Sequence, residues 1–435
     1  MKAPGAITLL RRAASLLYGR SRSRRATVIL LLLVSTLLAA AGCARPSEPP
    51  KPAYKGKLIL WAAPGLAGSP VAKPTGAFFE EQAKAFTVKH SDITVDVKLF
   101  VSPGALEDAL LTGAESPDLV FSRFLPQAAS RLANVEPLLE QNAIAAYLPN
   151  AIEAFRTPGQ LLGLPALLDL QVLALNEARF TAAGVPLPAD GKWTLSELEN
   201  SLTRLSGNGT FGLGFYQVPG YHEWWPLVSG LLSPEGTVAA GAEEGFARLA
   251  RYRKDGLLHP DTAKLKAEET WALFARGDFA VMPVATWAIP LLQGSDYKLK
   301  ISVAGFPGDV TVGYTYGYMV YRQDQDQNPA LKLQAAVSLA RFLGSEENQS
   351  RLAAETGLMP ALKTAPNPFA NDPALTRAFA LAATQRALPA GPAWAKAEAA
   401  AARDLTLALL GAREPKAAAA AIQNALQTAI APASK

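Results

Sequence analysis

From Lys57 onward, the 435-residue chain alternates short apolar runs with segments of helical periodicity. KLILWAA (57–63) is apolar at nearly every position and β-rich, which predicts a buried strand. TGAFFEEQAKAFTVKH (75–90) sets Phe78, Phe79, Ala83 and Phe86 at helical spacing. DITVDVKLF (92–100) alternates like a strand, ALEDALLTG (105–113) predicts a helix ending at Gly113, and PDLVFSRF (117–124) predicts another buried strand. Strands alternating with helices predict an α/β fold with parallel sheets.

Ahead of this pattern lies an apolar run, Val28 to Ala39, broken by Ser35 and Thr36 and too short for a membrane span, which needs about 20 apolar residues. A leader carrying Lys2, Arg11, Arg12, Arg20, Arg22, Arg24 and Arg25 precedes it, and Ala40, Ala41 and Gly42 follow it. A basic region, an apolar run and a small-residue cleavage site make a signal peptide over 1–42. The next residue, Cys43, is the only cysteine in the chain. The stretch resembles the lipobox of bacterial lipoproteins, with Ala40 where leucine is usual, and that resemblance implies that Cys43 becomes the lipid-modified N-terminus. An ordinary secretory signal with an incidental cysteine is the plainer alternative. ARPSEPPKPAYK (44–55) is Pro-rich and polar, so residues 43–56 read as a lipid anchor and tether. The expected location is outside the bacterial cell membrane, held there by lipid, facing the extracellular or periplasmic side.

Cleavage changes the charge. The 42 Lys and Arg outnumber the 37 Asp and Glu, but 7 of the basic residues precede Cys43, which leaves 35 against 37. A near-neutral body gives no reason to expect a nucleic-acid partner. One cysteine cannot build a disulfide framework or a zinc site, and His90, His222 and His259 lack metal-ligand spacing, so no cofactor or metal is expected. The length remaining after residue 42 suggests two lobes. GNGTFG (207–212) fits a dinucleotide-binding string, but a capped helix, WTLSELENSLTRLS, precedes it and a strand, LGFYQV, follows, so it reads as a helix-to-strand turn.

Five segments in order, LILWAA (58–63), SPDLVFSRF (116–124), the stretch from LLGLPALLDL to NSLTRL (161–205), LFARGDFAVMPVATWAI (273–289) and AAVSLARFLGSEENQSRLAAETGLMPALKTA (335–365), carry a resemblance. From about Lys57 to the C-terminus the chain resembles the extracellular solute-binding proteins of ATP-binding cassette importers, in particular the carbohydrate-binding family related to maltose-binding protein. This implies a two-lobed, periplasmic-binding-protein-like fold. Each lobe would be a mainly parallel sheet flanked by helices, joined by crossings near Leu162 to Leu168, Ala304 to Tyr314 and Gly357 to Lys363. Lobe 1 would comprise 57–164 plus 305–357, and lobe 2 165–304 plus 358–435. The function implied is capture of a solute, a sugar or oligosaccharide, between closing lobes by a monomer that delivers it to a permease, with no catalysis.

A sugar presents hydroxyls around apolar faces, so its site needs flat aromatic surfaces and a few fixed polar groups. By resemblance, Trp287 and Trp394 match tryptophans that stack on sugar rings. Asp169 matches a carboxylate that accepts hydroxyls, and its otherwise apolar neighbourhood independently suggests a polar cavity, because an unpartnered buried carboxylate is costly. PGYHEWWPLV nominates Tyr221, His222 and Trp224, with Trp225 as core. Ser122 and Arg123 follow the Pro-Asp strand, with Ser122 where the family has tryptophan. Tyr316, between Tyr314 and Tyr318, and Trp61 in the first strand complete the candidates. Two rivals stay open: a surface glycoside hydrolase using carboxylates about 5 to 9.5 Å apart, and a binding protein for a polyamine or for ferric iron.

Overall fold

The computed structural model describes residues 54–63, 75–113, 116–140, 142–216, 223–228, 242–262, 264–294, 296–308, 311–324, 326–388 and 392–430. The leader, Cys43 and most of the tether lie outside the described residues, as do Tyr221 and His222. Among the described residues, no helix is long and apolar enough to cross a membrane.

The strands are β1 (Gly56–Ala62), β2 (Ile93–Leu99), β3 (Leu119–Arg123), β4 (Arg156–Thr157), β5 (Gln160–Leu161), β6 (Leu164–Leu168), β7 (Gln171–Asn176), β8 (Phe211–Leu213), β9 (Phe279–Ala285), β10 (Ile301–Ala304), β11 (Thr311–Gly313), β12 (Thr315–Val320), β13 (Met359–Pro360) and β14 (Gln385–Ala387). Two sheets organise the molecule, one of six strands in the order β13-β6-β12-β3-β1-β2 and one of four in the order β10-β7-β9-β8. Both are flanked by helices whose sequences announce them. Gly76–Lys89 buries Phe78, Phe79, Ala83 and Phe86, and Pro103–Thr112 stops at Gly113, whose φ of 67° suits a residue without a Cβ. Thr194 and Glu197 form a reciprocal capping box at the start of Leu195–Leu205. GNGTFG is the turn from that helix into β8, with Gly207 and Thr210 bonded backbone to backbone.

The expectation of mainly parallel sheets needs correction. In the first sheet β1 pairs in parallel with β2 and β3, but β12 is antiparallel to β3 and β6, and β13 is antiparallel to β6. In the second, only β8 with β9 is parallel. The cause is directional. Strands β1, β3 and β6 run toward the end where the chain changes sheets, whereas β12 begins at that end and must run away from it. Strand β6 and residues 359–360 hydrogen-bond within the first sheet.

The first change of sheet occupies Asp169 and Leu170, between β6 and β7. The return passes through β11 and Tyr314 into β12, and the two segments interlock. Asp169 donates its N–H to the Tyr314 carbonyl at 2.9 Å, the Gln171 N–H reaches Thr311 Oγ1 at 3.1 Å, and Gln385 Nε2 donates to the Asp169 carbonyl at 3.2 Å. At the third approach, Gly357 lies against Trp287 so closely that an added Cβ would stand 2.9 Å from its Cα, and φ there is 74°.

Gly313 is tighter still: a Cβ built on it would lie 1.9 Å from the Asp169 carbonyl oxygen. Gly313→Ala therefore forces backbone apart at the crossing and should cost about 3 kcal/mol or more, in the range of severe overpacking. Gly104→Ala, inside a helix with only Ser102 Oγ within 4 Å, should instead be neutral or stabilising by up to about 1 kcal/mol. Thermal melting of the two variants checks the contrast, and equal melting temperatures would contradict it.

Candidate functional site

Strand ends gather chemistry where the chain changes sheets. Strand β3 ends at Arg123 and β6 runs into Asp169. Beyond β8 lie Tyr216 and then Glu223, and β9 is followed at once by Trp287. The helix Pro392–Leu409 adds Trp394 and Glu398, four residues apart and so on one face. The shorter helix Pro103–Thr112 buries Glu107 between Leu106 and Leu110.

These side chains form a connected path. The Arg123 Nε donates to Glu107 Oε1 at 2.9 Å, and its Nη2 donates to the same oxygen. The guanidinium lies over the Tyr314 ring, 4.2 Å from its centroid, a favourable cation–π placement. The Tyr314 hydroxyl donates to Glu398 Oε1 at 2.7 Å and accepts from Trp394 Nε1 at 3.3 Å. Trp394 meets Trp225 edge to face at 5.4 Å between centroids, and Trp225 meets Trp224 at 5.8 Å. On the other side, Tyr216 donates to Glu223 Oε1 at 2.8 Å and packs edge to face with Trp271, which does the same with Trp287.

Burial makes the charges expensive. Asp169, Glu223, Glu107 and Glu398 are 1%, 3%, 5% and 6% exposed. Burial pushes the Asp169 carboxyl well above the ordinary carboxylate range, Glu223 adds to this and Arg123 opposes it. Glu223 is pushed up to about 7 by burial, against hydrogen bonds from its own backbone and from Tyr216, with Glu398 adding repulsion. Glu398 is raised by burial despite the Tyr314 hydrogen bond and the nearby Arg123. Among the described residues, Asp169 Oδ1, Glu223 Oε2 and the indole nitrogens of Trp224 and Trp271 are buried without a hydrogen-bond partner. Such atoms are rare in folded proteins, where buried polar groups are ordinarily paired.

The structure brings Asp169, Arg123 and Trp394 together, connects Trp224 to them through Trp225, and joins Trp287 to Glu223 through Trp271 and Tyr216. Tyr316 pairs with Arg123 in register on the same face of the first sheet and stacks on Phe121. By strand alternation Ser122 and Trp61 occupy the opposite face. Trp61 packs there on Phe100, with Lys98 Nζ 4.7 Å from its ring centroid, so sequence order along the strands did not gather all the candidates. The tyrosines also diverge, since the Tyr318 hydroxyl donates to the Leu343 carbonyl. Among the described residues, no group of three or more His, Cys, Asp or Glu is arranged to hold a metal ion. Sequence reasoning missed Glu107, Glu223, Glu398 and Trp271. A faint signal existed for two of them, since Glu107 sits on the apolar face of its helix and Glu398 stands one turn after Trp394.

The raised carboxyls fix the sign of a pH effect. A carboxyl with a higher pKa folded than unfolded holds its proton more tightly when folded, so its contribution is present below the unfolded value of 4.5 and is lost as pH rises through about 7. Glu223→Gln keeps an acceptor for Tyr216 and removes the titration. The melting temperature of the wild type minus that of Glu223→Gln should fall steadily from pH 5 to pH 8, by the equivalent of about 3 kcal/mol at most. A difference flat across that range would refute the buried ionisation.

A family model described as bacterial extracellular solute-binding protein matches residues 81–377. No curated protein matches the chain. Among solved structures, the cyclic alpha-maltosyl-1,6-maltose binding protein from Arthrobacter globiformis is 17% identical with a TM-score of 0.69, over 86% of this chain and 99% of that one. UspC of M. tuberculosis is 21% identical with a TM-score of 0.68, over 86% and 100%. An ABC substrate-binding protein of Listeria monocytogenes, in complex with cycloalternan, is 17% identical with a TM-score of 0.64, over 86% and 98%. At such identities the likeness speaks for the two-lobed fold. The family match runs through both sheets and all three crossings, and on that ground the chain belongs to the bacterial extracellular solute-binding proteins.

Proposed function

We propose that this protein captures a sugar or oligosaccharide between its two lobes and delivers it to an ATP-binding cassette permease. The observation that carries the reading is the buried aromatic and carboxylate path at the crossings, in which Trp394, Tyr314 and Trp287 offer flat faces and Asp169 and Glu223 each offer an acceptor oxygen without a partner among the described residues. Flat apolar faces beside fixed charged acceptors suit the alternating C–H faces and hydroxyls of a sugar ring. Two structural relatives are a cyclic alpha-maltosyl-1,6-maltose binding protein and a substrate-binding protein in complex with cycloalternan, which supports the same class here. The lobes divide near residues 164, 304 and 357, and ligand favours the closed arrangement because only that arrangement engages both. The protein acts as a monomer, held to the outer face of the membrane by lipid on Cys43, and it catalyses nothing.

A thermal-shift screen over neutral and substituted mono- and oligosaccharides tests the ligand class. A bound sugar at 100 times its dissociation constant adds about 2.7 kcal/mol, and Asp169→Asn should remove most of that rise, because it replaces one acceptor with a donor. A panel that leaves the melting temperature unmoved rules the sugar class out. The anchor is tested separately. Cys43→Ser should move the protein from the membrane fraction to the soluble fraction with its sugar-dependent melting shift unaltered, and continued membrane association would contradict the lipid.

A further inference from the structure

The path contains more negative charge than it can neutralise. Among the described residues, Arg123 is the cation acting on Asp169, Glu107 and Glu398, and it is already engaged by Glu107 through two nitrogens. Asp169 and Glu223 face each other's charge and each retains a buried oxygen without a partner among the described residues. A neutral sugar hydroxyl would satisfy one acceptor but bring no charge. Rings along the path suit a cation, with Trp394 bonded to Tyr314 and Trp271 packed on the Tyr216 that donates to Glu223, and the attraction of a cation to an aromatic face grows when water is excluded. The carboxylates are not arranged to hold a bare metal ion. An ammonium group on an organic skeleton fits both facts, since it offers three donors, no acceptor and one positive charge.

We propose that the sugar taken by this site carries a protonated amine, so that the substrate class is amino sugars or oligosaccharides containing one. The inference rests on the sugar reading above. An ammonium between Asp169 and Glu223 replaces their mutual repulsion with two charge-assisted hydrogen bonds, while the uncharged part of the ring lies against the indoles. An acidic or phosphorylated sugar meets the same carboxylates as repulsion and is excluded. N-acetylation removes the charge and should remove the preference with it.

The test uses the chain after its leader and matched probes that differ at one substituent: glucosamine, glucose and N-acetylglucosamine, and the corresponding β-1,4 disaccharides chitobiose with free amines, cellobiose and diacetylchitobiose. Titration calorimetry at about pH 6.5 should give the free-amine member of a set a dissociation constant at least tenfold lower than those of its neutral partners. In Asp169→Asn and Glu223→Gln that ratio should fall toward one. Neutral or N-acetylated sugars binding as tightly as the amine, or tighter, overturn the amine assignment and leave the sugar reading standing. Spermidine or putrescine binding while every sugar fails, or no binding of any probe, overturns both.

Discussion

At the crossings, two stretches of main chain occupy almost the same space. The Asp169 carbonyl stands where a side chain on Gly313 would be, and the Asp169 N–H is bonded to the Tyr314 carbonyl. Everything that gives the site its chemistry hangs from this contact. It fixes the direction in which the Asp169 side chain leaves, sets Tyr314 under Arg123, and starts β12 running back through the first sheet. Backbone atoms and a missing side chain make most of the contact, and the Gln385 side chain completes it at the Asp169 carbonyl. A crossing held by long side chains would cost more conformational entropy and position the acid less sharply.

Around that contact, solvent exclusion strengthens each interaction and raises the cost of each omission. Glu107 and Arg123 answer each other, and Tyr314 and Trp394 answer Glu398. Asp169 and Glu223 are the remainder, and burial raises both above the ordinary carboxylate range. Ionising them in place grows costly as pH rises, and a group that supplied donors to them would lessen that cost. A receptor needs this asymmetry, because the bound and empty forms must differ in free energy before anything downstream can tell them apart.

Much of the fold was legible in the sequence. Phe78, Phe79, Ala83 and Phe86 at helical spacing, the Thr194–Glu197 cap and the apolar runs of β1 and β3 all state locally what they form, and the order of motifs stated the two lobes. Strand direction was not legible. Nothing in Thr315–Val320 says which way it runs, since that depends on where the preceding segment was delivered. The site was legible in part. Asp169 stood out because one acid in an apolar run demands a reason, and Trp394 came through resemblance. Glu107, Glu223 and Glu398 did not stand out, because an acid on a helix or loop is ordinarily solvated, and only tertiary packing removes the water from these three. Trp61 and Ser122 were plausible by position along their strands, and pleating sends their side chains to the other face.

Trp394 and Glu398 come from a helix near the end of the chain, whereas Arg123 and Asp169 come from its first half. The candidate site is therefore incomplete until this late helix docks. Until then Asp169 and Glu223 remain solvated, and burying them early would carry a desolvation cost with nothing to offset it. The late helix closes a long loop whose entropy is lost only at docking. Completion of the site is thereby tied to completion of the fold, so that a partly folded chain presents no competing version of it.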